Sequence, residues 1–285
     1  MNPDRAGHDN FDRVGVSCLV DELTLDLSRR LEHLGFRSLW VGGSPGGNLT
    51  QIEAVLAATD HLVVATGVVN IWTDDAADIA RAFHRIDDRH PGRLLLGVGI
   101  GHRELSDIGS IRPYDAMVRY LDALAAAEVE SSRTVLAALG PRVLRLAAER
   151  TLGSYTNMST SEYTATARAI AGPDAIIALQ RRVVLNADPH AAREIARPYI
   201  HGPLDLENYR QHVLRQGFTI DELAIGHDND LIDRLVAHGD PDAIAEQLRA
   251  HLDAGADQVV VQLKSAVGAD QNKEFAELAQ AIARL

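Results

Sequence analysis

A parallel (β/α)8 barrel, a TIM barrel, is the fold this sequence predicts, on three observations. Eight short β-rich runs are each followed by a helical pattern, the alternation that builds a parallel sheet wrapped in helices. The 285-residue chain suits one such domain, since these barrels commonly run to about 250 residues. The glycine-rich and polar stretches follow the strands, at the barrel end where active sites collect.

The elements can be justified in chain order. Residues 1–12 open with the polar MNPDRAGHDN and read as a disordered lead-in rather than a secretion signal, leaving residues 13–285 as a single barrel domain. Strand one is Val14 to Leu19. The helix after it, Leu23 to His33, lines Leu23, Leu27, Leu31 and Leu34 along one face and stops at Gly35. Strand two, Ser38 to Val41, leads through a Gly/Pro loop to a helix at Gln51 to Thr59. Strand three, His61 to Val69, takes its β-branched residues from Val63, Val64, Val68 and Val69. A helix from Ala76 to Arg89 precedes strand four, Leu94 to Val98, and Pro113 can open the next helix at its first turn. Strand five is Thr134 to Leu139, strand six Ser154 to Met158 and strand seven Arg182 to Leu185; helices fill Pro141 to Arg150 and Ser161 to Ala171. The mostly helical stretch from Pro189 to His251 is too long for one helix, which predicts a helical insertion between strands seven and eight. Strand eight, Gln258 to Leu263, and a helix from Lys273 to Leu285 close the fold.

Charge and composition narrow the function. A net charge of −12 argues against nucleic acid and anionic membrane, whose phosphates it would repel. An anionic ligand would therefore need a local pocket of basic or amide groups. Cys18, the one cysteine, leaves no disulfide and no thiolate metal cluster, and its strand-like setting suits a small buried hydrophobe. No apolar stretch is long enough to span a bilayer, so the expected location is the cytoplasm. The histidines are scattered: His84 and His90, at i,i+6, do not share a helix face, and the six from His190 to His251 fall where exposure is the default. No metal site is expected.

Arg93-Leu94-Leu95-Leu96-Gly97-Val98-Gly99-Ile100-Gly101-His102 is the most informative segment: an apolar strand that breaks into alternating glycines and then meets polar side chains. Glycines there would let a ligand approach the backbone. A dinucleotide fingerprint would need glycine where His102 stands. Gly42-Gly43-Ser44-Pro45-Gly46 satisfies the serine-hydrolase G-x-S-x-G pattern, yet Pro45 has no N–H to give an oxyanion. At Gly140-Pro141-Arg142 a helix start offers N–H groups to an anion, with a guanidinium beside them.

Three blocks in order, PGRLLLGVGIG, LAALGPRVLRLAAER (136–150) and GDPDAIAEQLRAHLDAGADQVVVQ (239–262), resemble the luciferase-like flavin and deazaflavin oxidoreductases, above all the coenzyme F420-dependent branch. The resemblance runs from Val14 to Leu263. It implies a bacterial-luciferase-type barrel that is usually a homodimer, with the cofactor's tricyclic ring over the carboxyl end and a small-molecule substrate beside it. By position, Val69-Asn70-Ile71 would carry a non-proline cis bulge against the ring, with Val69 and Asn70 touching it; Gly99, Ile100, Gly101 and His102 would contact ring and side chain. Leu139, Gly140, Pro141 and Arg142 would hold the phosphate, while Asn157 and Met158 complete the cradle. Gly42, Gly43 and Trp72 would border the substrate, and His102 would be the proton donor or polar contact. The dimer face implied by the relatives falls on Ile52, Val55, Leu56, Ile79 and Phe83.

Departures from the pattern bear on the reaction. Several family enzymes carry an acid and a histidine after strand two, where this chain has Gly42 and Gly43, and an acid is common at the position of His102. The end of strand six, often aromatic and hydrophobic in the closest relatives, reads Thr156-Asn157-Met158. The resemblance thus implies an F420-dependent oxidoreductase transferring a hydride, with an FMN-dependent monooxygenase or a catalytically degenerate cofactor-binding barrel as alternatives.

Overall fold

Eight parallel strands close on themselves in the computed structural model, which describes residues 12–101 and 111–285. The ring consists of β1 (Val14–Leu19), β2 (Ser38–Gly42), β3 (Val63–Thr66), β5 (Leu94–Gly99), β6 (Thr134–Ala137), β7 (Gly153–Asn157), β8 (Ile176–Leu185) and β10 (Gln258–Leu263). Because β10 pairs with both β1 and β8, the ring has no open edge. Two short strands stand outside it. β4 (Val69–Asn70) continues the line of β3 against β5, and β9 (Val236–Gly239) pairs with the last four residues of β8.

Helices α1 (Leu25–His33), α2 (Thr50–Ala58), α3 (Ala76–Asp87), α4 (Pro113–Ala126), α5 (Pro141–Arg150) and α6 (Ser161–Ala171) wrap the first part of the barrel. The insertion holds α7 (Pro189–Leu204), α8 (Glu207–Arg215) and α9 (Asn229–Leu235); α10 (Pro241–Asp253) and α11 (Gln271–Ile282) flank β10. Their starts follow from sequence. Thr24, Asp75, Thr160, Asp188, Asp240 and Asp270 each accept a first-turn N–H, a contact worth about 1 kcal/mol apiece. Proline opens α4, α5, α7 and α10, where its missing N–H costs nothing.

Strand alternation separates two apolar layers. Outward residues such as Val16, Leu39, Val64, Leu96 and Val261 pack under the helices against Leu31, Ile52, Ile79 and Leu248. Inward, Trp40, Ala65, Leu95, Val135, Tyr155, Ala178 and Val260 fill the barrel. The Trp40 and Tyr155 rings stack at 4.3 Å, and the Trp40 indole N–H donates to Gln258 Oε1 at 2.9 Å. Cys18 is buried as expected, and burial pushes its thiol up to about 12.

The structure corrects several expectations. Strand seven starts at Ile176, because the polar pair Gln180-Arg181 lies within the strand rather than before it. The insertion carries a strand, β9, inside what reads as helix. Strand three is broken at Gly67–Val68, where the cis peptide lies, two residues before the expected Val69-Asn70-Ile71. Ile52, Val55, Leu56, Ile79 and Phe83 are all buried in this chain's own core, so those side chains are already packed without a partner. His212 and His251 are buried, not exposed. Ser44 lies in a loop that α2 follows only at Thr50, so the tight strand-to-helix elbow of a hydrolase is absent there. Among the described residues no helix is long and apolar enough to cross a membrane, and no cluster of three potential metal ligands forms.

Candidate active site

A cavity of about 490 Å³ opens at the carboxyl end of the barrel, a size suited to a cofactor and a small partner. Gly67 and Val68 form one wall, and Ile100 stands beside them. The segment from Ala137 to Gly140 also lines it, together with Tyr155, Asn157 and Gln180. Helix α8 covers it through Glu207, Asn208, Tyr209, Gln211 and Arg215.

The glycines of β5 make room for the neighbouring segment. A Cβ on Gly97 would lie 1.9 Å from the Thr66 carbonyl oxygen, and one on Gly99 would lie 2.4 Å from Val68 Cγ2. Thr66 fastens the same junction: its hydroxyl donates to Gly97 O at 2.7 Å and accepts from Gly97 N at 2.8 Å. Without side chains at 97 and 99, the chain between β3 and β4 can lie against β5 and present Val68 to the cavity. Gly101, at φ +66, packs against the Asn70 side chain, which itself accepts the Trp72 N–H.

Gly140 is different, because a Cβ there would meet nothing closer than Arg215 Nη2 at 3.9 Å. It caps α5, and Val143 N and Leu144 N both donate back to its carbonyl. Pro141 supplies no N–H, so the Arg142 amide is the next donor at this helix end. The Arg142 side chain points elsewhere, with its guanidinium 3.6 Å from the centre of the Tyr114 ring. The guanidinium that lines the cavity near Gly140 belongs to Arg215.

Helix α8 is tied down by side chains from its own far face. His212 Nδ1 is 2.9 Å from Leu139 O, and Nε2 is 3.0 Å from Ser159 Oγ. A carbonyl only accepts, so Nδ1 carries the proton and Nε2 takes the serine's. Gln216, just past the helix, donates to Met158 O and accepts from Thr160 N, each at 2.8 Å. Burial, and then Arg215, pushes the His212 pKa down to about 4, which keeps the ring neutral. Tyr163 packs edge-on against it and donates to the same Leu139 oxygen.

Of the sequence-predicted residues, Gly99, Ile100, Gly101, Leu139, Gly140 and Asn157 line the cavity together. Val69 is buried in the outer core, Met158 in the core of the insertion, and Pro141 is exposed. Gly42 and Gly43 sit behind the wall: a Cβ on Gly42 would meet Gly67 O at 3.3 Å, and one on Gly43 would meet Val20. Trp72 is half-buried, and its indole N–H has no hydrogen-bond partner among the described residues. His102 lies outside the described residues.

Sequence reasoning missed Val68, Tyr155, Gln180 and the α8 residues. Two of these carried a signal. Tyr155 is two residues before Asn157 on β7 and so shares its face, and Gln180 pairs with Asn157 in register. Burial pushes the Tyr155 phenol up, which holds it in its protonated form.

Comparison with known proteins agrees with this architecture. The F420-dependent secondary alcohol dehydrogenase in complex with an F420-acetone adduct superposes over 96% of this chain and 98% of its own, with TM-score 0.76 and 14% identity. The coenzyme F420 dependent tetrahydromethanopterin reductase from Methanopyrus kandleri gives 96% and 99%, 0.75 and 16%. The oxygenating constituent of 3,6-diketocamphane monooxygenase from Pseudomonas putida, in complex with FMN, gives 94% and 95%, 0.68 and 14%. No curated protein matches the chain by sequence. The profile of the luciferase-like monooxygenases matches residues 22–122 and 115–258, most of the barrel, and the chain belongs to that family.

Proposed function

We propose that this protein is a coenzyme F420-dependent oxidoreductase that moves a hydride between the deazaflavin and a small organic substrate. The observation that carries the reading is the cavity's construction: Val68 forms one wall, while Gly140 at the start of α5 and Arg215 on α8 border the same space. A planar ring can lie against the wall and an anionic tail can reach the helix end, where N–H groups and a guanidinium favour it. The two F420-named structures, with TM-scores of 0.76 and 0.75 against 0.68 for the FMN complex, support the deazaflavin over the flavin.

Bound there, the deazaflavin would supply the hydride chemistry. The chain's own part is to position and to exclude water. Val68 and Ile100 would set the ring's height above the barrel, Asn157 and Gln180 would hold polar groups of the substrate, and α8 would keep bulk solvent off the reacting face. The homodimer belongs to this reading, with an interface made of surfaces other than the buried residues of α2 and α3.

Titration of the purified protein with F420 and, separately, with FMN, followed by fluorescence, tests the proposal. Tighter F420 binding is expected. Tighter FMN binding would move the protein to the monooxygenase reading, and binding of neither would make it a degenerate barrel.

A further inference from the structure

Beyond Gln180, the inner face of the barrel mouth turns basic. Arg182 is the next residue on that face of β8, opposite Gln262, and Lys264 follows Gln262 on the same side of β10, its N–H bonded to Val183 O at 2.8 Å. Both side chains are more than nine-tenths buried, at 7% and 5% exposure. The Arg182 guanidinium donates from Nη1 to Asn157 Oδ1 at 3.1 Å, and its buried Nε has no hydrogen-bond partner among the described residues. Asn157 lines the cavity, so the guanidinium is one hydrogen bond from it.

Among the described residues the charges do not balance there. No carboxylate among the described residues pairs with Arg182; burial is the main influence on it, with the phenol groups of Tyr209 and Tyr155 close by. Lys264 has one carboxylate within reach, that of Glu22, at 3.8 Å; it is half-exposed, and its other oxygen already accepts the Leu19 N–H. Lys264 also lies over the Tyr199 ring at 4.5 Å. Burying two like charges side by side opposes folding unless an anion joins them.

We propose that the substrate of this cavity is an organic oxyanion, a carboxylate or phosphate ester, whose anionic group is held by Arg182 and Lys264. The inference rests on reading the cavity as a substrate chamber and adds the substrate's charge. A guanidinium presents parallel N–H groups that match the two oxygens of a carboxylate, and the lysine adds a point charge from the adjacent strand. The cofactor's tail, in this arrangement, belongs at Gly140 and Arg215, and the substrate's anion at the opposite, β8–β10 side. A neutral substrate of the same shape would leave Arg182 without a counter-charge among the described residues and Lys264 with the half-exposed Glu22 alone, so the chamber selects by charge as well as size.

Calorimetric titration of the full-length chain with butyrate, butyl phosphate and neutral butyramide, at fixed ionic strength, tests this. At least one of the two anions should bind ten times or more tighter than the amide, and whichever binds better identifies the ester or the acid as the substrate type. In Arg182→Gln and in Lys264→Met that preference should fall by tenfold or more, with circular dichroism used to check that each variant folds; the lysine variant, at the strand's end, covers the case in which the arginine variant does not. Equal binding of anion and amide, no anion binding, or a preference that survives either substitution in folded protein would overturn the proposal. So would a tenfold loss of F420 affinity in both variants, which would assign the cations to the cofactor. An intact anion preference in a protein that binds no F420 would instead leave the oxyanion chamber standing and sink the deazaflavin reading.

Discussion

His212 Nδ1 lies 2.9 Å from the carbonyl oxygen of Leu139, and this contact joins the helix that covers the cavity to the loop that forms its side. Helix α8 is only Glu207–Arg215, too short to be stable by itself, so its position depends on such contacts. His212→Ala should therefore lower stability by about 1–3 kcal/mol, through the unpaired partners and the vacated volume, and should weaken F420 binding as the cover loosens. Urea denaturation and fluorescence titration measure the two effects. An unchanged denaturation midpoint would remove the latch from the account.

Acid should destabilise the fold over a defined range. His212 is pushed down to about 4, and His251, buried beside Thr164 and repelled by Arg181, to about 3, in both cases with burial as the main cause. An unfolded chain takes up these protons near pH 6.5, the folded one only near 4 and 3, so between those limits the unfolded state binds more protons. The stabilisation is complete above pH 6.5 and is lost as pH falls, at up to about 1.4 kcal/mol per pH unit for each histidine. Denaturation midpoints at a series of pH values between 7 and 4 should show this slope, and His251→Gln should flatten it; equal slopes in variant and parent would contradict the assignment.

Two glycines should answer differently to a methyl group. Gly99→Ala drives its Cβ into Val68 Cγ2, so the wall must shift; the expected cost is about 1–3 kcal/mol of stability together with loss of cofactor binding. Gly140→Ala meets no close atom and should cost under about 1 kcal/mol. Thermal melts of the pair provide the comparison, and a Gly99→Ala protein as stable as its parent would show that the junction with Val68 has slack.

The two arginines near the α5 start should also separate. Arg215→Ala should weaken F420 binding by roughly tenfold or more, as expected for loss of a charge-assisted contact of about 1.5–3 kcal/mol. Arg142→Ala should change it little, because the side chain is stacked on Tyr114 while its backbone N–H survives the substitution. The reverse order of effects would return the phosphate to Arg142.

Most of the barrel was legible because its strands and helices obey their periods and their caps stand in the sequence. What escaped did so for local reasons. The four residues of β9 follow α9 without a turn residue between them, and read as more helix. The start of β8 was hidden by Gln180 and Arg181, since consecutive polar residues look like the end of a strand unless both of its faces have polar work. In the site, the loop residues after β5 and β6 were found by their glycines. Tyr209, Gln211 and Arg215 were not, because an amphipathic helix with ordinary charges gives no hint of which surface it will cover. The β5 glycines have a second reason that the sequence does not show: the bare backbone of Gly97 and Gly99 accommodates Thr66 and Val68.

The stacked rings of Trp40 and Tyr155 have a kinetic consequence. Held by Gln258 and surrounded by Ala65, Leu95 and Val260, they plug the barrel, so it has a floor and cannot serve as a tunnel. Traffic to Val68 and Gln180 must use one end. Two molecules sharing a single doorway queue: the one seated deeper enters first and departs last, and a large excess of the shallower one obstructs its neighbour. Inhibition at high concentration of one ligand, relieved by the other, is the steady-state signature of such a dead-end vestibule.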